Sequence, residues 1–196
     1  MIFGIPAHVS RFYSTFVRKK NEKNMQHFHE ISPLDITDNF IRAIGQEWML
    51  ITAGDASRCN TMTASWGFVG QIWGHPAAMV VIRPTRYTRQ FVEANERLTL
   101  SFFDERYRDA LRYCGSHSGR EGDKFAASGL TVVRTDAGTP AVGEARLVLE
   151  CRKMYVGRFE AEGFLQKELL ERMYPDHDLH YCYIVQIEHA FVRDGE

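Results

Sequence analysis

Three absences limit what this sequence can encode: a cysteine framework, an apolar run of membrane length, and an excess of charge of one sign. The four cysteines of the 196-residue chain include no C-x-x-C pair, which is typical of reduced thiols. No apolar run approaches the roughly 18–20 residues that a membrane-spanning helix needs. The net charge of −1 creates no broad field that favours nucleic acid or an anionic membrane. We therefore expect a cytoplasmic protein with neither a nucleic-acid nor a membrane partner.

The histidines and cysteines do not form a metal-binding pattern. His27 and His29 are close in sequence, as are His177 and His180, but both pairs lie in polar, weakly periodic segments. The cysteines lack the spacing of a zinc site. We therefore predict no metal site.

The first 30 residues differ in composition from the rest of the chain. The first 24 hold several basic residues and one acid, Glu22, and they lack the apolar core of a secretory signal. Their basic, hydroxyl-containing character is also that of an organelle transit peptide, and Met25 offers an alternative start. We predict a poorly ordered basic extension over residues 1–30 and one domain over residues 31–196. The basic residues are Arg11, Arg18, Lys19, Lys20 and Lys23.

Hydrophobic periodicity predicts a β-rich domain with helices inserted between hairpin-linked strands. The helices do not alternate strictly with the strands, and no Gly-x-Gly-x-x-Gly follows a strand, so a Rossmann fold is unsupported. A compact β-barrel with helical decorations, of all-β or α+β class, fits the pattern best. We predict strands at 48–53, 62–69, 77–83, 98–103, 130–134, 145–159 and 180–188, and helices at 33–45, 88–94, 109–114, 124–127 and 166–173.

The first candidate site is the run Asn60-Thr61-Met62-Thr63-Ala64-Ser65-Trp66-Gly67 near a strand start. Its small side chains would let the backbone lie flat against a planar heterocycle, with Trp66 or Met62 as an apolar contact. The alternative is a hairpin edge whose Thr and Ser side chains face water.

The second candidate is Arg83-Pro84-Thr85-Arg86-Tyr87-Thr88, where a predicted strand gives way to a helix. Two guanidinium groups, threonine hydroxyls and helix-start N–H groups would together hold a phosphate. The alternative is a solvated, charged helix start with a threonine cap.

The third candidate is the glycine- and serine-rich run from Cys114 to Lys124. Its glycines free the backbone for close approach to a ligand, and Ser116, Ser118 and Lys124 add donors. A plain surface loop has the same composition. Cys114 beside His117 raises the hypothesis of a nucleophilic thiolate, and a small packed cysteine is the alternative.

Together, in this order, the three runs resemble the flavin reductase-like family of FMN-binding split barrels, which includes flavoredoxin-type proteins. The resemblance covers about residues 31–190. The chain departs from the family pattern at Glu121, where Asp is frequent, and at Val185-Gln186, where Gly-Glu is frequent; the second departure concerns the backbone near residue 185. Further residues and segments that match the family pattern are Asn95, Phe125, Gly129-Leu130-Thr131 and Leu147-Val148-Leu149-Glu150-Cys151.

The resemblance implies a homodimer with FMN in a cleft at or near the subunit interface. The first run would lie along the flavin ring and ribityl chain, the second would hold the phosphate, and the third would close the pocket. No side chain is expected to be catalytic, because the flavin itself carries the redox chemistry. The implied cofactor-binding residues are Asn60, Met62, Thr63, Ala64, Ser65, Trp66, Arg83, Arg86, Tyr87, Thr88, Asn95, Ser116, Ser118 and Lys124.

The function that the resemblance implies is an oxidoreductase. It would reduce flavin with NAD(P)H or transfer electrons through bound FMN, with FAD as a possible replacement. The alternatives are an oxidase-like enzyme on the same fold, a non-catalytic FMN-binding or sensor protein, and a β-barrel scaffold without a ligand.

Overall fold

A computed structural model describes residues 24–195 of the chain, so residues 1–23 of the predicted extension lie outside the described residues. The described part is dominated by strands. In chain order they are β1 (Phe28–Ile31), β2 (Met49–Gly54), β3 (Cys59–Ala64), β4 (Gly67–Ile72), β5 (His75–Ile82), β6 (Arg97–Phe102), β7 (Val132–Arg134), β8 (Pro140–Val142), β9 (Leu147–Arg158) and β10 (Tyr181–Arg193). Since β1 pairs with β10, from Phe28 opposite Arg193, strand structure begins inside the predicted extension. The division into residues 1–30 and 31–196 stays a prediction.

Five short helices lie between the strands. Within residues 24–195, none has the length and apolar character needed to cross a membrane. They are α1 (Phe40–Arg42), which continues as a π-helical turn (Ala43–Glu47), α2 (Thr88–Ala94), α3 (Arg108–Ser116), α4 (Lys124–Ser128) and α5 (Lys167–Met173).

The main sheet has eight strands, with the order β3-β2-β6-β9-β10-β5-β4 and β1 added to β10. Its paired strands are antiparallel. The edge strands β3 and β4 are joined only by Ser65 and Trp66, so Ala64 and Gly67 lie no more than about 11 Å apart. The sheet must therefore curl until its edges are close. Those edges do not pair in the described chain, and the barrel stays split between β3 and β4.

Two apolar clusters hold this sheet in place. Alternate side chains such as Leu100, Leu149 and Tyr183 point into the barrel and are at most 1% exposed. Leu50 and Val148 point outward and are covered by α3, α4 and the β7–β8 hairpin. This second cluster fixes the segment between α3 and α4 beside the open edge of the sheet.

The helix predicted at 33–45 is wrong as a single element. Ser32 accepts a hydrogen bond from the Leu34 N–H and starts a short 3-10 turn at Pro33–Asp35. Extended backbone follows, and Asn39 caps α1 by accepting from the Arg42 N–H. Serine and asparagine side chains compete with the helix ladder for nearby backbone groups, and this breaks the segment in two.

The strand predicted at 62–69 is also wrong, because it is divided between the two edges of the sheet. The chain leaves β3 after Ala64 and enters β4 at Gly67. Gly67 has φ 157°, and a Cβ there would lie 2.7 Å from the Met79 carbonyl oxygen. Glycine at this position permits the close approach of β4 to β5.

The helix predicted at 88–94 is confirmed as α2, and the long strand predicted at 145–159 is confirmed as β9. The pairing of β9 with β10 shifts register between Ile184 and Val185. This irregularity lies where Val185-Gln186 departs from the family pattern, and it marks a local bend of the last strand.

Candidate functional site

Two adjoining cavities open along β3 at the split of the barrel. The first, which we call the cationic cavity, has a volume of about 340 Å³, and the second, the edge cavity, has about 180 Å³. Met62, Arg83 and Arg86 line both, so the two cavities adjoin along the strand.

The side chains that line the cationic cavity carry a net positive charge. Four cationic side chains line it, and no carboxylate does. Arg83 differs from the others, because its guanidinium donates to the Asp178 carboxylate and, at 2.9 Å, to the Met173 carbonyl. The net positive charge therefore comes from Arg86, Arg120 and Lys124, a set suited to an anion such as a phosphate.

Arg86 is held in the cavity by a backbone contact. Its guanidinium donates to the Gly115 carbonyl over 2.7 Å, which ties the start of α2 to the end of α3. Burial, with a smaller contribution from nearby Arg83, lowers the pKa of Arg86. An arginine stays protonated at neutral pH even so, and its remaining donors stay available to an anion.

Lys124 is buried without an acidic partner. Only 5% of the residue is exposed, and its ammonium donates to the Cys114 carbonyl over 2.8 Å. Burial lowers the pKa of Lys124 to about 8; Cys114 opposes this shift, and repulsion from Arg86 adds a lesser lowering. An ammonium has three donors, so this bond leaves two for a ligand.

The glycine-rich loop after α3 forms another wall of the cationic cavity. Asn60 on β3 is buried and donates to the Thr88 hydroxyl over 2.8 Å, which joins β3 to α2. Gly119 lies directly against this amide, since a Cβ there would be 2.2 Å from the Asn60 side-chain oxygen. The loop can close on β3 only because residue 119 has no side chain.

Arg120 closes the outer side of the cationic cavity. Its guanidinium lies 4.6 Å from the centre of the Tyr87 ring and donates to the Thr85 carbonyl at 3.4 Å. The Tyr87 hydroxyl in turn accepts from Arg58 at 2.5 Å. Tyr87 is therefore a platform that holds the Arg120 side chain over the cavity.

Small side chains and planar rings line the edge cavity. Thr63 donates to the Leu111 carbonyl at 2.5 Å, which holds its side chain against α3. The rings of Trp66 and His180 lie 5.3 Å apart. Burial, with Arg83 as the next cause, lowers the pKa of His180 to about 4, so this imidazole is neutral at pH 7. Tyr174 holds it through a 2.9 Å bond to Nδ1.

The structure brings most of the predicted site residues to these two cavities. The exception is Asn95, which lines neither cavity. It lies at the far end of α2, about 10 Å along the helix from Thr88, where its amide donates to the Phe91 carbonyl. The residues brought to the cavities are Asn60, Met62, Thr63, Ala64, Ser65, Trp66, Arg83, Arg86, Tyr87, Thr88, Ser116, Ser118 and Lys124.

Sequence reasoning missed six lining residues: Thr85, Val81, His117, Gly119, Arg120 and His180. Thr85, His117, Gly119 and Arg120 lie inside the runs already singled out, so a charge count within each run could have found Arg120. Val81 and His180 carry no such signal. His180 is distant in sequence from the other site residues and enters the cavity only because β10 pairs with β5.

Cys114 does not have the properties of a nucleophile. It is fully buried, and burial raises the pKa of its thiol. Its sulfur lies 3.7 Å from the Ser128 hydroxyl. These facts match a packed cysteine. In the described chain, no group of three or more His, Cys, Asp or Glu side chains is placed to hold a metal.

An open antiparallel barrel with a cation-lined cleft at its split edge defines a split-barrel protein whose cleft is suited to an anionic ligand. The family model described as "Flavin reductase like domain" matches residues 41–195 of this chain. The chain therefore belongs to the flavin reductase-like family.

A curated relative is the uncharacterized protein YddH of Escherichia coli K12, which is 32% identical over 108 residues. The match covers 53% of this chain and 57% of that protein, so the chain spans less than two thirds of the relative's length.

Three solved structures share the fold at low sequence identity. A flavoredoxin from Methanosarcina acetivorans is 21% identical, with a TM-score of 0.60 and coverage of 75% of this chain and 68% of that one. An FMN-binding protein from Thermus thermophilus with bound p-hydroxybenzaldehyde is 23% identical, with a TM-score of 0.58 and coverage of 73% and 69%. An NADH:FAD oxidoreductase from Streptomyces globisporus is 17% identical, with a TM-score of 0.56 and coverage of 75% and 74%.

Proposed function

We propose that this chain is an FMN-binding oxidoreductase that accepts electrons from NADH or NADPH. The observation that carries the proposal is that the cationic cavity and the edge cavity adjoin along β3 and share Met62, Arg83 and Arg86. One end offers cations without carboxylates, as a phosphomonoester requires. The other offers small side chains and planar walls, as a flat ring requires.

The residues present fit FMN at both ends. Arg86, Arg120 and Lys124 would hold the phosphate, because each places a cationic donor in a cavity that no carboxylate lines. The strand from Thr63 to Trp66 would lie along the ring, since Ala64 and Ser65 leave room for a flat ligand. Bound flavin would supply the redox chemistry.

The chain's own residues bind and orient the cofactor and supply no nucleophile. Neutral His180 has one N–H donor and one acceptor nitrogen beside the edge cavity, and its Nδ1 is engaged by the Tyr174 hydroxyl. Arg83 is occupied by Asp178 and Met173, so we assign it to positioning the strand end rather than to holding phosphate. Names of structural relatives that include flavoredoxin and NADH:FAD oxidoreductase support electron transfer as the general activity.

We also propose that the protein is a homodimer, with the outer face of the sheet as its interface. The strand register places Phe68, Met79, Ile184 and Tyr155 side by side across β4, β5, β10 and β9. Phe68 is 68% exposed and Tyr155 is 52% exposed. A contiguous apolar row of this kind on a sheet face is typical of a protein–protein contact.

The proposed function is tested by flavin titration followed by reduction. We expect purified chain to bind FMN at one per chain, and Arg86→Ala to weaken binding by roughly ten- to a hundredfold, because a charged contact of about 1.5–3 kcal/mol is lost. The control is Arg112→Ala, because Arg112 is exposed and pairs with Asp109 at the surface. This substitution should leave FMN affinity unchanged.

Anaerobic mixing of the FMN-loaded protein with NADH or NADPH then tests the electron donor. Rapid bleaching of the flavin absorbance after mixing supports the reductase. Tight FMN binding without bleaching by either nucleotide would overturn the reductase and leave an FMN-binding carrier or sensor. No FMN binding would overturn the whole proposal.

A further inference from the structure

Helix α3 holds three of the side chains that line the two cavities. Three of its backbone carbonyls accept hydrogen bonds from the side chains of Thr63, Arg86 and Lys124. These side chains come from three different parts of the chain: β3, the segment before α2 and the start of α4. The position of α3 therefore decides where two cations and one polar wall of the cavities lie.

The C-terminal half of α3 packs closely on the sheet. Leu111 and Cys114 are at most 1% exposed and belong to the outer apolar cluster. A Cβ at Gly115 would lie 3.2 Å from the Thr63 Cβ, so the helix and β3 are in tight contact there. Apolar contacts are not directional, so they hold the helix on the sheet without fixing its position along its own axis.

Arg108 attaches the other end of α3 to the segment that leads into β2. Its guanidinium lies 3.5 Å from the centre of the Trp48 ring. It also donates to the carbonyls of Gln46 and Glu47, at 2.6 Å and 2.9 Å. These two carbonyls are at the end of the π-helical turn, where the turn itself supplies no further N–H partners. The contact is directional, unlike the apolar packing of the helix.

Trp48 has a backbone conformation that a tryptophan rarely adopts. Its φ is 72° and its ψ is 162°, in a region that glycine alone enters readily. A side chain stays in such a conformation only where its surroundings fix it, and Arg108 covers its ring. Met49 follows directly and pairs with Ala64, which lines the edge cavity. The Arg108 contact thus joins α3 to the strands that carry the site.

We propose that Arg108 is a positioning residue, which fixes the N-terminal end of α3 and so sets where the helix carbonyls hold Arg86 and Lys124. Arg108 itself lines neither cavity. Roughly 10 Å of helix separates it from the carbonyl that holds Arg86, so it acts on the site through α3. The effect of Arg108 on FMN binding rests on the proposed function. Its effect on Lys124 does not.

The titration of Lys124 in flavin-free protein tests the proposal. Burial is the largest cause of its lowered pKa, and Cys114 and Arg86 are the other groups that act on it. If α3 loses its fixed position, the ammonium becomes more exposed and its pKa should rise towards the ordinary value of 10.5. NMR of protein labelled with ¹³C at the lysine Cε follows this titration. The signal that is missing from Lys124→Met identifies the residue.

Three variants are compared with wild type. Arg108→Ala removes the contact, and Trp48→Gly removes the ring while placing glycine where φ is positive. Arg112→Ala is the matched control, because it takes an exposed arginine from the same helix. We expect the Lys124 midpoint near pH 8 in wild type and Arg112→Ala, about one unit higher in Arg108→Ala, and raised by less in Trp48→Gly.

A substitution that only destabilises the fold lowers the free energy of unfolding and leaves this midpoint in place. Circular dichroism shows which variants are folded. An unchanged Lys124 midpoint in folded Arg108→Ala would overturn the proposal. If Arg108→Ala does not fold, an unchanged midpoint in Trp48→Gly would overturn it instead.

FMN titration separates this proposal from the flavin function. In a chain that binds FMN, Arg108→Ala should weaken binding by about tenfold and move the pH step of affinity upward with the Lys124 midpoint. A raised midpoint in a chain that binds no FMN supports the positioning role and overturns the flavin function. Equal FMN binding by wild type and Arg108→Ala, with an unmoved midpoint, does the reverse.

Discussion

At the scale of single residues, the cationic cavity owes its net charge to groups that form no ion pair with a carboxylate of residues 24–195. Arg83 and Arg86 are close in sequence, yet Asp178 neutralises only Arg83. Lys124 has a carbonyl as its hydrogen-bond partner, and burial keeps its pKa near 8. A buried ammonium without a counter-ion is costly for the folded state, and a bound phosphate would supply the missing negative charge.

Lys124 therefore predicts a pH dependence of flavin binding. FMN affinity should be full below pH 8 and fall as the pH rises through about 8, because the free protein loses the ammonium charge there. Fluorescence titration of FMN between mildly acidic and alkaline pH measures it. Lys124→Met should bind FMN more weakly at neutral pH and lose this step.

A second measurement checks the same pKa without flavin. The folded chain binds fewer protons at Lys124 than the unfolded chain between about pH 8 and the ordinary lysine value of 10.5. The free energy of unfolding of wild type should therefore rise relative to Lys124→Met as the pH increases through this window. An unchanged difference between the two proteins would contradict the lowered pKa.

At the scale of elements, the site depends on how closely the loop after α3 approaches β3. Arg86 holds one end of this loop through the Gly115 carbonyl, and Gly119 lies against Asn60 at its middle. Asn60 cannot turn aside freely, because its amide donates to Thr88 inside the protein. The loop, β3 and α2 thus share one contact point.

Gly119→Ala should open this contact. A Cβ at 2.2 Å from the Asn60 oxygen forces the loop or the amide to move, which displaces Arg120 from the cavity. We expect FMN binding to weaken by about tenfold or more, as measured by titration. Gly122→Ala in the same loop is the control, since a Cβ there meets nothing within 4 Å. Equal effects of the two substitutions would show that the approach of Gly119 is unimportant.

At the scale of the whole molecule, the curled sheet presents two surfaces with different roles. The split between β3 and β4 exposes the cavities, and the outer face of β4, β5, β10 and β9 exposes the apolar row. Trp66, which lines the edge cavity, and Tyr155, which belongs to the row, also share a third cavity. A dimer formed on this face would therefore place its interface at the margin of the ligand cavities.

Ile184→Asp tests the dimer. Ile184 pairs with both Met79 and Tyr155, so a carboxylate there would be buried at the centre of the proposed interface without a partner. We expect sedimentation velocity to show a dimer for wild type and a monomer for Ile184→Asp. Ile41→Asp, at an apolar residue that is 89% exposed on α1, should remain a dimer. A monomeric wild type would contradict the proposal.

Much of the fold was predictable from local pattern. A long run with mixed apolar and polar residues on both faces predicted the strand β9, and the step from Pro84 to Thr88 predicted the start of α2, because both signals act over neighbouring residues. The failures also have local causes. Ser32 and Asn39 cap separate turns where apolar spacing predicts one helix, and the chain changes sheet edge at Ser65-Trp66 without a turn signal.

The sequence by itself determined the chemistry available to the site: guanidinium groups after one strand, small residues on another, and glycines in the loop that meets them. Tertiary structure decided which of these groups face the ligand. Strand pairing brought His180 to the edge cavity, Asp178 neutralised Arg83, and α2 placed Asn95 at its far end from Thr88. Such choices depend on contacts between residues that are distant in the chain, and local sequence pattern carries no information about them.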